Sequence, residues 1–298
     1  MATGLAFRNG QFIPASDLSI SIHDTGFVLG TTVAERVRTY GGELFAWAEH
    51  LARLRESLAI VAVNPGFDDT FLTQAAQRLV ENNRTSLPDD SDLSLCLFVT
   101  PGERGTPLVV IYTEEVAFAT FASLYRGGQR LITSRIRQTS PENWPPQLKC
   151  RSRMHYYLAD HEVRQIDPAS RALLLSLDGL VTEASTANVM LHLPDEGIVS
   201  PRRETVLPGI SLQVTERLAG RLGMAFTYRD IRPDELSRAD EIFLCSTSPG
   251  ILPVVMMDGQ AVGSGAPGEV FGQLLSAWNE HVGLDIVAQA LRFGGAAG

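Results

Sequence analysis

Short apolar runs broken by glycine, proline and asparagine dominate the chain, and stretches with apolar residues three and four apart are inserted between them. Residues 4–8 and 11–14 flank Asn9-Gly10, a hairpin signal. A loop over 23–30 leads to a strand ending near Tyr40, with charges at alternate positions, Arg36 and Arg38. Leu51, Leu54 and Leu58 predict an amphipathic helix over 50–60, and a second helix follows over 69–81. Residues 93–100 and 107–112 read as adjacent buried strands, joined by a glycine-rich turn over 101–106 that lacks the lysine of a phosphate-binding P-loop. Tyr125 to Gln129 is the expected linker.

The pattern restarts with a strand over 130–134 and a loop holding Pro141, Pro145 and Pro146. A helix is predicted over 152–166, then a strand over 172–177 that turns at Asp178-Gly179 and returns over 180–183. Another hairpin begins at 188–193, and a helix over 212–222 stops at Gly223. Strands over 225–228, 241–245 and 251–257, with a short helix at 233–238, precede a closing helix over 268–281. The expected organisation is a smaller α/β domain over 1–124, a linker over 125–129, a larger domain over 130–292, and a disordered tail from 293 to 298.

With 44% apolar and 20% charged residues, the chain reads as an ordinary globular protein. Its net charge of −9 argues against nucleic-acid binding, which needs a basic face. No apolar run has the length of a membrane span, and the first residues lack a signal peptide's basic end and apolar centre, so a cytoplasmic protein is expected. Three widely spaced cysteines suit reduced thiols, and six scattered histidines give no zinc spacing, so no metal is expected.

One residue changes the picture. Lys149 is the only lysine, every other basic residue being arginine. Arginine supplies charge and ion pairs, but its guanidinium stays protonated and cannot act as an amine nucleophile. The competing reading is drift toward arginine that leaves one surface lysine behind. The chemistry that needs a lysine is Schiff-base formation with a carbonyl, most commonly that of pyridoxal phosphate. That cofactor also needs an acid for its ring nitrogen, a cradle for its phosphate and apolar walls. Glu183 ends an apolar strand, where a carboxylate is costly unless paired with a cation. Pro208-Gly209-Ile210-Ser211 is a small-residue helix start, and Ser246-Thr247-Ser248 ends a buried strand, so either suits a phosphate. Arg53, outside the leucine series of its helix, is a solvated arginine or an anion clamp.

The order of these features resembles the class IV, fold type IV, pyridoxal-phosphate aminotransferases, which include branched-chain and D-amino-acid aminotransferases and aminodeoxychorismate lyase. The matching words are residues 30–38, His50-Leu51-Ala52-Arg53-Leu54, Gly179-Leu180-Val181-Thr182-Glu183 with Asn188, Leu207-Pro208-Gly209-Ile210-Ser211, Ala239-Asp240-Glu241-Ile242-Phe243 with Ser246-Thr247, and Pro253-Val254 with Asp258-Gly259. The resemblance implies a two-domain α/β fold of α+β type, whose larger C-terminal domain is mostly antiparallel or mixed sheet. It implies that Lys149 forms the Schiff base and moves the substrate proton, and that Glu183 holds the pyridine nitrogen protonated. It places the phosphate on Arg53, Ile210, Ser211 and Thr247, with Gly209 allowing close approach and Ser246 beside it. Leu207 packs on the ring and Ser185 and Thr186 lie nearby. The implied reaction is a ping-pong transamination between an amino acid and a 2-oxo acid, in a homodimer.

The chain departs from the family at Ala34, often Phe or Tyr, and at Arg36, usually small in branched-chain enzymes. With Arg38 and Ser248 these are the candidate substrate residues. The alternatives are a lyase that eliminates from aminodeoxychorismate and a catalytically silent cofactor-binding dimer.

Overall fold

Asn9 and Gly10 both take positive φ, 44° and 89°, the geometry of a two-residue turn that matches strand twist, and they join β1 (Leu5–Arg8) to β2 (Gln11–Pro14). This hairpin is the outer edge of the first of two units in the computed structural model, which describes residues 4–295. The first unit comprises the chain to Val116 and takes back Gln147–Ser152; the second comprises Ala117–Pro146 and the chain from Arg153 onward.

In the first unit, α1 (Thr25–Leu29) precedes β3 (Val33–Tyr40) and β4 (Glu43–Leu44). The helices α2 (Trp47–Ile60) and α3 (Asp69–Arg84) follow, then β5 (Leu93–Glu103) and β6 (Thr106–Glu115). The strands form one antiparallel sheet in the order β2-β1-β6-β5-β3-β4. Its core joins Val33 and Val37 of β3 and Leu95 and Leu97 of β5 to Leu51, Leu54 and Leu58 of α2 and Leu72 and Leu79 of α3. Each such leucine, fully buried, contributes about 2–3 kcal/mol of transfer free energy. Ala34, Phe98 and Val110 form a smaller cluster with Leu108.

The short helix α1 lies where a loop was expected. Five residues are too few to show helical periodicity, and what holds it is tertiary: one Asp24 oxygen caps the Gly26 amide at 2.7 Å, and the other accepts from the Thr100 hydroxyl at 2.7 Å. The glycine-rich segment expected as a turn partly continues β5 to Glu103, with the register shifting between Thr100 and Glu103.

The second unit opens with α4 (Leu124–Gly127), β7 (Gln129–Thr133), α5 (Met154–Ile166), β8 (Ser170–Leu175), β9 (Val181–Ala184), β10 (Ala187–Leu193) and β11 (Gly197–Ser200). It continues with α6 (Ile210–Arg221), β12 (Phe226–Tyr228), β13 (Glu241–Ser246), β14 (Gly250–Met257), β15 (Gln260–Ala261), α7 (Glu269–Val282) and α8 (Ile286–Phe293). The sheet runs β12-β11-β10-β13-β14-β7-β8-β9, and β9 also pairs with β10, so the strands from β10 round to β9 close into a ring. β7 is parallel to β14 and β8, and β11 to β12, while the other pairings are antiparallel. The sheet is therefore mixed, in an α/β chain.

Residues 125–129, expected as the linker, lie inside this second unit. Tyr125 is 3% exposed and its hydroxyl donates to the Pro249 carbonyl at 2.5 Å. Gly128 makes a tight corner rather than a flexible joint: at φ 71°, a Cβ there would stand 2.2 Å from a Val255 methyl. Phe293, expected to begin the disordered tail, instead ends α8 with its ring centroid 5.7 Å from that of Phe118. Residues 296–298 of that tail lie outside the described residues. The helix α8 itself was not expected; Asp285 caps it, accepting from the Val287 and Ala288 amides.

Candidate active site

On β3 the residues at 33, 35 and 37 share a face, and Val33 and Val37 point it into the core against α2. Glu35 therefore carries a carboxylate into that interface, where it is 2% exposed. Such burial is costly unless the charge is met. The helix α2 meets it with His50, Arg53 and Ser57, spaced so that they share one face. Arg53 donates from Nε to Glu35 Oε1 at 2.8 Å and from its terminal nitrogen to Oε2 at 2.7 Å, and His50 Nδ1 lies 2.8 Å from Oε2. Burial pushes the Glu35 carboxyl up, but the charge and hydrogen bonds of Arg53, the hydrogen bond of His50 and the charge of Lys149 outweigh it and hold it at about 2. Burial holds His50 below the usual histidine value despite its bond to Glu35, and the Arg53 and Lys149 charges act with burial. His50 is then neutral, and donates from Nδ1 to the carboxylate.

The same residues hold Lys149. Its amide donates to the Ser57 hydroxyl at 3.1 Å, its carbonyl accepts from the Ala34 amide at 3.0 Å, and Leu148 packs on the apolar core. Cys150 bridges Val33, and the Arg151 amide donates to the Thr32 carbonyl at 2.8 Å. The lysine is thus pinned from both sides on the start of β3. Arg53, 5% exposed, is not the solvated arginine of the sequence alternatives.

Because Glu35 has its folded value lowered from 4.5 to about 2, its stabilisation is fully present above pH 4.5 and is lost as pH falls toward 2. The loss is on the order of 3 kcal/mol. A urea midpoint measured from pH 6 to pH 2.5 should fall steeply below pH 4.5, and Glu35→Gln should flatten that limb.

In the second unit Glu183 lies on β9, 4% exposed. Its Oε1 accepts from the Tyr156 hydroxyl at 2.5 Å and from the Gln138 amide at 2.5 Å, and Asn188 Nδ2 stands 3.4 Å from Oε2. Burial and the Glu183 charge push the Tyr156 phenol well above its ordinary value, so it remains a donor. Asn188 also donates to the Leu207 carbonyl at 2.9 Å, tying the strand that carries Glu183 to the start of α6.

That helix start is built for an anion. Gly209 at the N-cap brings no side chain to the first-turn amides of Ile210 and Ser211, and the first turn holds no acid. A Cβ at Gly209 would stand 1.9 Å from Asn188 Oδ1. Gly209→Ala should therefore displace Asn188, costing about 1–3 kcal/mol in thermal unfolding and weakening phosphate capture at α6. Ser246 ends β13 opposite Gly250, and Thr247 and Ser248 form the turn between them, all partly buried.

Ser185 and Thr186 are placed differently. They make the turn between β9 and β10, with Thr186 at φ 60°, and the Ser185 hydroxyl donates to Asp160 at 2.7 Å. Arg171 donates to the Ser185 carbonyl and to the Thr186 hydroxyl, and burial lowers its guanidinium to about 10. Ala34 is buried beside Phe98, and Arg36 is half-buried, donating to Ser94 at 2.7 Å and Glu114 at 3.1 Å. Arg38 is 1% exposed with its guanidinium over the Tyr40 ring at 4.4 Å. Glu35, His50, Ser57, Gln138 and Tyr156 were not foreseen as site residues. A carboxylate at a core-facing strand position was a readable signal for Glu35; Gln138 in a loop carried none.

An amine held in a buried charged cluster, a buried carboxylate suited to a cation, and a helix start with a glycine no Cβ can replace together fit pyridoxal phosphate. Among the described residues no group of His, Cys, Asp and Glu side chains could hold a metal ion, and no helix is long and apolar enough to cross a membrane.

Comparison with known proteins agrees. The family model for class IV aminotransferases matches residues 32–256. A D-alanine aminotransferase of Bacillus licheniformis is 30% identical over 92% of this chain and 95% of its own. A putative branched-chain-amino-acid aminotransferase of Methanocaldococcus jannaschii is 25% identical over 90% and 93%. A solved bacterial-type relative, the T.th. branched-chain amino acid aminotransferase complexed with N-(5'-phosphopyridoxyl)-L-glutamate, superposes with a TM-score of 0.85 at 26% identity, covering 94% of each chain. Its form with pyridoxamine 5'-phosphate gives 0.86 at 25% identity, covering 95% of each. The chain belongs to the class IV aminotransferases, enzymes that depend on pyridoxal phosphate.

Proposed function

We propose that the protein moves an amino group from a branched-chain-like amino acid or a D-amino acid to a 2-oxo acid, in two half-reactions that share one site. The observation that carries this reading is the pinning of the chain's one lysine beside the buried Glu35, His50 and Arg53. Bound pyridoxal phosphate supplies an aldehyde that carries the amino group and a ring that takes up the electron pair left at the substrate Cα. Lys149 is the amine that holds the cofactor and, once displaced by the incoming amino acid, moves the proton between substrate Cα and cofactor C4′. Glu183 keeps the ring nitrogen protonated. Arg53, the Ile210 and Ser211 amides and Thr247, with Ser246 beside it, take the phosphate, and Leu207 lies on the ring face.

Ser185 and Thr186 contribute through the turn that carries Glu183 to Asn188. Near the substrate we place Ala34, Ser248 and Arg36, whose half-buried guanidinium suits a second carboxylate. Arg38 supports that region from beneath Tyr40. Exposed Ile22, Phe27, Val28 and Leu29 support a homodimer, and three free cysteines support a cytoplasmic setting.

The test is the visible spectrum of the cofactor-loaded protein against a panel of D- and L-amino acids. Bleaching by one class, reversed by a 2-oxo acid, names the donor. A bound cofactor that no amino acid bleaches contradicts transamination, and pyruvate release from aminodeoxychorismate would then mark a lyase.

A further inference from the structure

Glu183 has more support than a cation partner requires. Its Oε1 takes two short hydrogen bonds, from Tyr156 and from Gln138, and Gln138 also donates to the Tyr156 oxygen at 3.2 Å. The two donors are themselves fixed. The Gln138 backbone donates to the Leu175 carbonyl at 2.9 Å, its side-chain oxygen accepts from the Thr139 amide at 3.0 Å, and Tyr156 packs against the core formed by α5 and β8. Nothing in the fold alone calls for this arrangement, because a buried neutral glutamine would fill the Glu183 position without the cost of a charge.

Resting on the reading above, we propose that Tyr156 and Gln138 are positioning residues that tie up Oε1 of Glu183 and so keep the proton of the carboxylate–pyridine pair on the cofactor's ring nitrogen. A buried carboxylate becomes a stronger base when its donors are removed, since burial favours the neutral acid. With both donors in place the carboxylate form is stabilised and the shared proton stays on nitrogen. Without them the proton passes to Oε2, the N–H bond breaks as the O–H bond forms, and the ring loses its charge and its power as an electron sink. The other charged or titratable groups acting here are Arg171, which faces Glu183 and Tyr156 from β8, Asp160 on α5, and Arg153 at the start of α5. All three remain in the variants below, so a change is assigned to the two donors.

The experiment loads wild type, Tyr156→Phe and Gln138→Leu with pyridoxal phosphate labelled with 15N in the ring. The ring-nitrogen NMR shift is then followed from pH 6 to pH 9. One hydrogen bond to a charged group is worth about 1.5–3 kcal/mol, so the pH at which the ring nitrogen loses its proton should fall by about one unit or more in each variant. The double variant should give a pyridine-like shift throughout, with kcat falling more than KM. Should Tyr156→Phe fail to fold, Gln138→Leu, altered in a loop, carries the same test. Wild-type-like titrations in folded variants overturn the inference while leaving the cofactor reading intact, as does a wild-type ring nitrogen that is already unprotonated. Failure of wild type to bind the cofactor overturns the reading itself.

Discussion

Replacing Lys149 with alanine should abolish amino transfer. Proton transfer by a positioned side chain alone is worth roughly 10²–10⁴-fold, and no other lysine exists to substitute. Lys149→Arg separates chemistry from charge. It keeps a cation near Glu35, so the buried cluster and the thermal midpoint should change little, yet a guanidinium that stays protonated cannot act as the amine. Both variants should therefore show steady-state rates at background with any donor, the arginine variant with near-native stability. Measurable turnover in either one would remove the lysine from the chemistry.

Arg53→Met should be the most destabilising single change in the first unit. It strips Glu35 of both guanidinium hydrogen bonds and leaves the buried carboxylate with the neutral His50 beside it, and stranding one member of a buried pair costs about 3–5 kcal/mol. For a chain of this size that lowers the thermal midpoint by on the order of 10 °C. The acid limb should also move to higher pH, because the group that most strongly opposes the effect of burial on Glu35 is gone. Glu35→Gln combined with Arg53→Met should recover part of the loss, since no unpaired charge is left inside. A loss below 1 kcal/mol in urea unfolding of the single variant would mean that the pair is dispensable to the fold. Cofactor retention, measured on the same samples, should fall in both.

What could be read from the chain depended on whether the physics was local. Asn9-Gly10 was legible because positive φ at two successive residues is a property of those residues. Lys149 was legible by scarcity. Glu183 and the start of α6 were legible because a strand-end acid and a Pro-Gly helix start each carry a local cost that a ligand offsets. By contrast α1 exists through Asp24 and Thr100, 76 residues apart, and no local pattern carries that. Gly127-Gly128 looked like a joint, yet the backbone is turned tightly against Val255. Ser185 and Thr186 were in the right stretch, but their hydroxyls answer to Asp160 and Arg171, whose approach is set by the pairing of β8 with β9. Tyr156 and Gln138 reach Glu183 from a helix and a loop with no periodicity between them. Return of residues 147–152 to the first unit was equally hidden, although it is what seats Lys149 on β3.

The most direct measurement is borohydride reduction of the cofactor-loaded protein followed by peptide mass spectrometry. Amines for the cofactor are few here: one lysine side chain and the chain's amino terminus. The expected result is a single phosphopyridoxyl group on the peptide that contains Lys149, absent from Lys149→Ala. A reduced adduct found only at the amino terminus, or none in a protein that still transfers amino groups, would contradict the assignment of Lys149.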